Sequence, residues 1–236
     1  MRLLVIISAV FFFSGCKKDV LPGSTSLINS NSVFYSTPIN TMLALGDSYT
    51  IGEGVYDLER FPTKTARILS GEGIPFLTPT YIASTGWTTG HLRMGVEYYK
   101  PEKHTVVTLL IGVNDQYLGL DLEKYREGFE ELVKKSIALA YDRSKCVFVL
   151  SIPDYSVTPR VQFADTARIS AEINSFNEVN KEVAQKYQCN YLYITDLTKE
   201  AKNDRSLLAS DGLHPSGKEY EKWAQLLAPM IKNVLK

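Results

Sequence analysis

From about residue 41 onward the chain alternates two kinds of stretch. Short, almost unbroken runs of apolar and β-branched residues at 42–45, 80–83, 106–111, 147–152 and 191–194 predict strands buried on both faces. Between them, apolar residues recur at helical spacing and predict helices over 62–70, 88–98, 122–141, 166–187 and 216–236. Pro62 suits the first turn of its helix and Ser216 stands as an N-cap. Regular strand–helix alternation predicts an α/β fold: a five-stranded parallel sheet sandwiched between two helical layers, joined by right-handed crossovers. No internal repeat is present.

A parallel sheet delivers every loop that follows a strand to the same edge, where open α/β sheets bind ligands. Ser48 follows the first predicted strand, Gly86 the second and Asn114 the third; the loop Ser210-Asp211-Gly212-Leu213-His214-Pro215 lies between the fifth strand and the last helix. A serine hydroxyl is protonated at neutral pH and needs a base before it can attack. Of the three histidines, His91 falls at a helix start and His104 before a strand, whereas His214 sits in a turn with Asp211 three residues ahead. That spacing lets the carboxylate fold back onto Nδ1 and leaves Nε2 for a serine. The candidate catalytic set is therefore Ser48, His214 and Asp211. Each has a structural reading taken alone: Asp211 in an Asx-turn, His214 before a helix, Gly86 in a turn, Asn114 capping a loop. Asp47 and Asp115 read as loop-structuring carboxylates that accept backbone N–H bonds. A metal site at Asp47, Asp115, Asp211 and His214 is the weaker reading, because it leaves the serine and asparagine without a task. Neither a metal nor an organic cofactor is expected.

Composition narrows the picture further. A chain of 236 residues with 44% hydrophobic positions suffices for the core of one ordinary domain. Twenty-six basic and 26 acidic residues give zero formal charge, without the basic footprint of a nucleic-acid binder.

The amino terminus belongs to export rather than to the fold. Met1-Arg2 followed by the apolar run 3–13 is too short to span a membrane and suits a secretory signal. The run ends in Phe13-Ser14-Gly15-Cys16, which resembles the lipobox of bacterial lipoproteins, although Phe13 replaces the usual aliphatic residue. The resemblance implies a signal peptide over 1–15, diacylation of Cys16 and, with Lys17 following, an address at the outer membrane. An ordinary cleaved signal with an incidental cysteine is the alternative. Residues 16–40, rich in Ser, Asn, Thr and Pro, read as a tether, which leaves 41–236 as the catalytic domain. Cys146 and Cys189 each precede a predicted strand and form either a disulfide between neighbouring strands or two buried thiols.

Four short blocks in order carry a family resemblance. Gly46-Asp47-Ser48-Tyr49, Gly86 within Ser84-Thr85-Gly86-Trp87-Thr88, Gly112-Val113-Asn114-Asp115 and Asp211-Gly212-Leu213-His214-Pro215 resemble blocks I, II, III and V of the SGNH hydrolases, the GDSL esterases. The resemblance implies a flavodoxin-like strand order, 2-1-3-4-5. It also implies a serine esterase in which the Ser48 and Gly86 backbone N–H groups and the Asn114 amide form the oxyanion hole. Two departures stand out: Tyr49 replaces the leucine of the GDSL string, and the block II asparagine is missing before Gly86, so the bracing of that loop is open. Thr50 stands where the α/β-hydrolase elbow has its second glycine. Trp87, Tyr117 and Tyr155, with 52–54 and 153–163, are placed to line a pocket for a small-molecule or carbohydrate ester. Export and family together favour short acyl groups such as acetyl on carbohydrate. Lipase or lysophospholipase substrates, acyl transfer with the same residues, and a non-catalytic carbohydrate-binding protein are the alternatives.

Overall fold

The computed structural model describes residues 39–236. The signal peptide, Cys16 and nearly all of the tether lie outside the described residues. Five strands, β1 (Met42–Gly46), β2 (Thr80–Ala83), β3 (Val106–Leu110), β4 (Val147–Leu150) and β5 (Asn190–Leu192), pair in parallel in the order β2-β1-β3-β4-β5. This is the flavodoxin-like order that the resemblance implied. The three central strands are buried along their whole length, as their unbroken apolar runs require, while the edge strands β2 and β5 are only partly covered.

Helices α1 (Ser48–Ile51), α2 (Phe61–Gly71), α3 (Thr89–Tyr99), α4 (Val113–Tyr117), α5 (Leu122–Leu139), α6 (Thr166–Lys186), α7 (Thr195–Lys199) and α8 (Gly217–Leu235) join or follow them. Helices α2 and α8 pack together, and α5 packs against both α3 and α6. The division follows from topology: the chain leaves β1 towards β2, then returns past β1 to β3. With right-handed crossovers, that reversal puts α2 on one face of the sheet and α3, α5 and α6 on the other. Phe61, Tyr220 and Trp223 fill the first interface, with Phe61 and Trp223 ring centroids 5.8 Å apart. Tyr125, Phe129 and Phe176 fill the second, where the Tyr125 and Phe176 rings lie 4.5 Å apart.

The predicted strands over 106–111 and 147–152 end early, at Leu110 and Leu150. Beyond β4, the Asn177 side chain replaces a strand neighbour: Ile152 N–H donates to its Oδ1 at 2.7 Å and its Nδ2 donates back to the Ile152 carbonyl at 3.2 Å. The fifth strand runs over Asn190–Leu192 rather than 191–194, because Ile194 N–H turns aside to the Ser151 hydroxyl. Ser216 does cap α8, accepting the Glu219 N–H. Among the described residues Cys146 and Cys189 are free thiols. Strand register explains why they do not bridge: Asn190 pairs with Phe148, so Cys189 falls level with Val147 rather than with Cys146.

At the carboxyl end of β1 the chain turns sharply into α1. A Cβ on Gly46 would overlap the Thr50 hydroxyl and the Leu110 carbonyl, so only glycine permits β1, α1 and β3 to meet here. Asp47 caps α1, its Oδ1 accepting the Tyr49 N–H at 3.0 Å, and is fully buried with no partner for Oδ2 among the described residues. Burial, reinforced by nearby Asp115 and opposed by the Tyr49 N–H, pushes its carboxyl up to about 8.

Two outcomes follow from this corner. Gly46→Ala overpacks it and costs about 2 kcal/mol or more of stability, read from urea midpoints, with displacement of the serine turn. For Asp47, the raised folded value means that the protonated form is favoured in the fold. Its stabilising contribution is complete below pH ~4 and is lost, at up to about 1.4 kcal/mol per pH unit, as pH rises to about 8. Asp47→Asn, which mimics the neutral carboxyl, therefore gains stability relative to the native chain between pH 5 and 8. A difference between the two proteins that does not change with pH would give Asp47 an ordinary carboxyl.

Candidate active site

Ser48 opens α1, a single turn closed by Gly52 in the left-handed conformation at φ 69°. The turn is held from three sides. Asp47 caps it, the Thr50 hydroxyl reaches the Leu110 carbonyl at 3.5 Å, and the Tyr220 hydroxyl of α8 donates to the Tyr49 carbonyl at 2.9 Å. Ser48 is thereby presented at the edge of the sheet, only 4% exposed.

His214 arrives from 166 positions away, its Nε2 2.9 Å from Ser48 Oγ. Its Nδ1 lies 2.6 Å from Asp211 Oδ2. The aspartate in turn accepts the Leu213 and His214 N–H groups on Oδ1, at 2.9 and 3.0 Å. Burial raises the Asp211 carboxyl, but the His214 ring and those two backbone donors outweigh it and hold the group below the ordinary carboxylate range. An ionised carboxylate only accepts, so Nδ1 carries the imidazole proton and Nε2 is left to accept from the Ser48 hydroxyl. The Tyr49 ring packs 5.1 Å from the imidazole, so the residue that departs from the family string serves as a wall for the histidine. The structure thus brings Ser48, His214 and Asp211 into one hydrogen-bonded chain.

Gly86 and Asn114 line the same cavity as Ser48 and His214. Gly86 has φ 78°, which a side chain rarely tolerates. Asn114 lies in α4, which follows Gly112 (φ 126°), a position where a Cβ would strike Tyr125 and Ile152. One amide hydrogen of Asn114 is committed to the Trp87 carbonyl at 2.9 Å. This bond aims the side chain and ties it to the Gly86 loop.

The bracing of that loop, left open by the missing asparagine, is supplied from both neighbouring loops. Thr85 Oγ1 donates to Glu53 Oε2 at 2.5 Å. On the other side Asp115 accepts both the N–H of Thr89 (3.0 Å to Oδ2) and its hydroxyl (2.6 Å to Oδ1). Asp47 and Asp115 are therefore the structural carboxylates their sequence context predicted. The Glu53–Thr85 contact had no sequence signal, since it joins exposed polar residues 32 positions apart.

Among the pocket aromatics the structure separates three cases. Tyr155 lines the cavity, is buried, and is fixed by a 2.9 Å bond from its hydroxyl to Gln116. Tyr117 also lines it but is 69% exposed. Trp87 does not line it: its indole packs under Gly95 of α3, the small residue one turn beyond His91 that leaves room for it. That corrects the expectation for Trp87, whose contribution is its backbone carbonyl. Tyr49, Thr85, Val113, Arg160, Val161 and Leu213 complete the lining of a cavity of about 230 Å³. No group of three or more His, Cys, Asp or Glu side chains placed to hold a metal occurs among the described residues.

Comparison with known proteins sets this geometry in context. The esterase EstA from Pseudoalteromonas sp., solved with monoethylphosphonate as inhibitor, superposes with a TM-score of 0.61 at 20% identity, over 83% of this chain and 98% of its own. A lipase/acylhydrolase from Enterococcus faecalis gives 0.60 at 20% identity, over 82% and 96%. Axe2, an acetylxylan esterase from Geobacillus stearothermophilus, gives 0.61 at 18%, over 81% and 94%. No relative is detected by sequence among curated proteins. At these identities the likeness establishes the fold. The family rests on a match to the GDSL-like lipase/acylhydrolase family across residues 44–222, a span that holds all four sequence blocks. With the serine, glycine, asparagine and histidine of those blocks gathered around one cavity on that fold, the chain belongs to the GDSL-like lipase/acylhydrolase family and is a carboxylic ester hydrolase.

Proposed function

We propose that the protein is a serine esterase that acts through an acyl-enzyme and removes short acyl groups, such as acetyl, from carbohydrate. The observation that carries the mechanism is the unbroken chain from Ser48 Oγ to His214 Nε2 (2.9 Å) and from Nδ1 to Asp211 (2.6 Å). Ser48 attacks the ester carbonyl while His214 takes its proton, and Asp211 stabilises the imidazolium so formed. The Ser48 and Gly86 N–H groups and the second Asn114 amide hydrogen hold the oxyanion of the tetrahedral intermediate. His214 then returns the proton to the leaving alcohol, and a water activated by the same histidine releases the acid.

Two observations support the substrate class. A cavity of about 230 Å³ at the serine suits a small acyl group better than a long chain. Tyrosines line it, Tyr49 and Tyr155 buried and Tyr117 exposed, and aromatic side chains are suited to contact with a sugar ring. The similarity in fold to an acetylxylan esterase is in keeping with that reading. The resemblance of residues 13–16 to a lipobox extends it to an exported enzyme held at the outer membrane by acyl chains on Cys16. Each buried methylene contributes about 0.8 kcal/mol, so several chains suffice without a membrane-spanning helix.

Hydrolysis of p-nitrophenyl acetate, butyrate and decanoate by the full-length protein in neutral detergent is expected to fall with chain length. It should vanish in Ser48→Ala, and Asn114→Ala should lower kcat by about 100- to 1,000-fold. Decanoate turned over faster than acetate would overturn the short-acyl assignment, and well-folded protein without activity would favour the transferase or binding alternatives. For the anchor, a fatty-acid label is expected on the native protein and absent from Cys16→Ala; equal labelling of both would exclude lipidation at that residue.

A further inference from the structure

We propose that Arg160 is a specificity-determining residue of this cavity and that the natural ester carries a carboxylate within its reach. This names the substrate class more narrowly and rests on the esterase reading above. Apart from His214, Arg160 is the one ionisable side chain of ordinary positive charge that lines the cavity; much of the remaining wall, including Val113, Tyr155, Val161 and Leu213, is apolar or aromatic.

Most of the other described arginines have a partner. Arg60, Arg93, Arg126 and Arg168 each face a carboxylate at 2.6 to 3.1 Å, and Arg143 and Arg205 donate to backbone carbonyls. Arg67, exposed on α2, and Arg160 make neither kind of contact with the described residues, and of these two only Arg160 borders the serine. Nearby carboxylates are already engaged. Asp154 accepts from Ser156 and Ser170, Asp165 caps α6, and Asp211 serves His214.

The backbone beneath Arg160 is nevertheless well held. It sits in the short turn Pro159–Val161, with the Thr158 hydroxyl donating to the Tyr155 carbonyl at 2.8 Å and Arg205 Nη1 to the Val157 carbonyl at 2.8 Å. Lys202 and Arg205 line the adjoining hollow with Pro159, and neither makes an ion pair among the described residues. The linings of the cavity and of this hollow thus hold Arg160, Lys202 and Arg205 and no carboxylate side chain. A guanidinium offers its donors in a planar fork that matches a carboxylate in a bidentate contact, and apolar walls beside it strengthen that contact by limiting water. A carboxylate on the acyl part of the ester or on its alcohol satisfies this chemistry equally.

Two matched pairs of esters test the proposal in full-length protein at low salt. In the first, 4-acetoxybenzoate against its methyl ester, the charge is on the alcohol; in the second, p-nitrophenyl hemisuccinate against its methyl ester, it is on the acyl group. In one pair the native enzyme is expected to favour the anionic member in kcat/KM by about ten- to a hundredfold, chiefly through KM. Arg160→Gln should bring that ratio to about one and Arg160→Lys should restore part of it. The pair that responds tells which side of the ester carries the charge. Equal rates within both pairs, or a preference that survives Arg160→Gln, would overturn the proposal. Calorimetric binding of the same four esters to Ser48→Ala, with and without Arg160→Gln, gives the comparison independently of turnover. Absence of hydrolysis of every ester by the native protein would count against the esterase reading, whereas equal binding of anionic and neutral members would count against Arg160.

Discussion

The reversal of strand order between β1 and β3, with β2 laid on one side and β3 on the other, is the constraint on which the rest of the site depends. Two strands adjacent in the sheet send their following loops to opposite faces, so a crevice opens between them at the carboxyl edge. Ser48 leaves β1 on one side of it, and Asn114 follows β3 on the other. The crevice is kept narrow by Gly46, where any side chain would overlap the Leu110 carbonyl of the neighbouring strand. Close approach of two backbones thereby sets the distance between the proposed nucleophile and the amide proposed to receive the developing charge.

The third loop, after β2, reaches this crevice from an edge strand and needs support that the sheet does not provide. Contacts from both flanks supply it: Glu53 holds Thr85, Asn114 holds the Trp87 carbonyl, and Asp115 holds Thr89. Gly86 is suspended between these anchors, free to keep its left-handed backbone. One loss in the sequence, the asparagine of block II, is thus made good by several polar contacts of different origin.

The carboxylates around the serine divide by environment. Asp211, reached by an imidazole and two backbone donors, stays ionised where the proton-carrying histidine requires a partner. Asp47, buried with a single donor, is held towards its neutral form and so places no second negative charge beside the position where an oxyanion would form. The same residue type, four loops apart in the chain, performs opposite electrostatic tasks because burial and hydrogen bonding differ.

Much of this was legible in the residues. Unbroken apolar runs identify buried parallel strands, and the alternation with helical periodicity dictates a layered α/β sheet. Such signals are local, and burial on both faces leaves few other readings. Strand ends were less legible, because the Asn177 side chain and the Ser151 hydroxyl end the ladders from remote segments. The pairing of Asp211 with His214 was likewise readable, since three residues of turn suffice to bring them together. Their meeting with Ser48, across 166 positions, was suggested by the order of the motifs but depends on the packing of α8 against the serine turn. Which aromatics face the cavity was not encoded locally at all: Trp87 turns towards α3 because Gly95 leaves a hollow there, while Tyr155 turns inward to meet Gln116. The sequence by itself determined the main elements and their layering, set by short-range periodicity, and marked Ser48, His214 and Asp211 as candidates through motif order and turn chemistry. Only the tertiary structure decided which polar groups brace the Gly86 loop, which rings line the cavity and which arginine borders it. Those outcomes depend on surfaces brought together from distant parts of the chain.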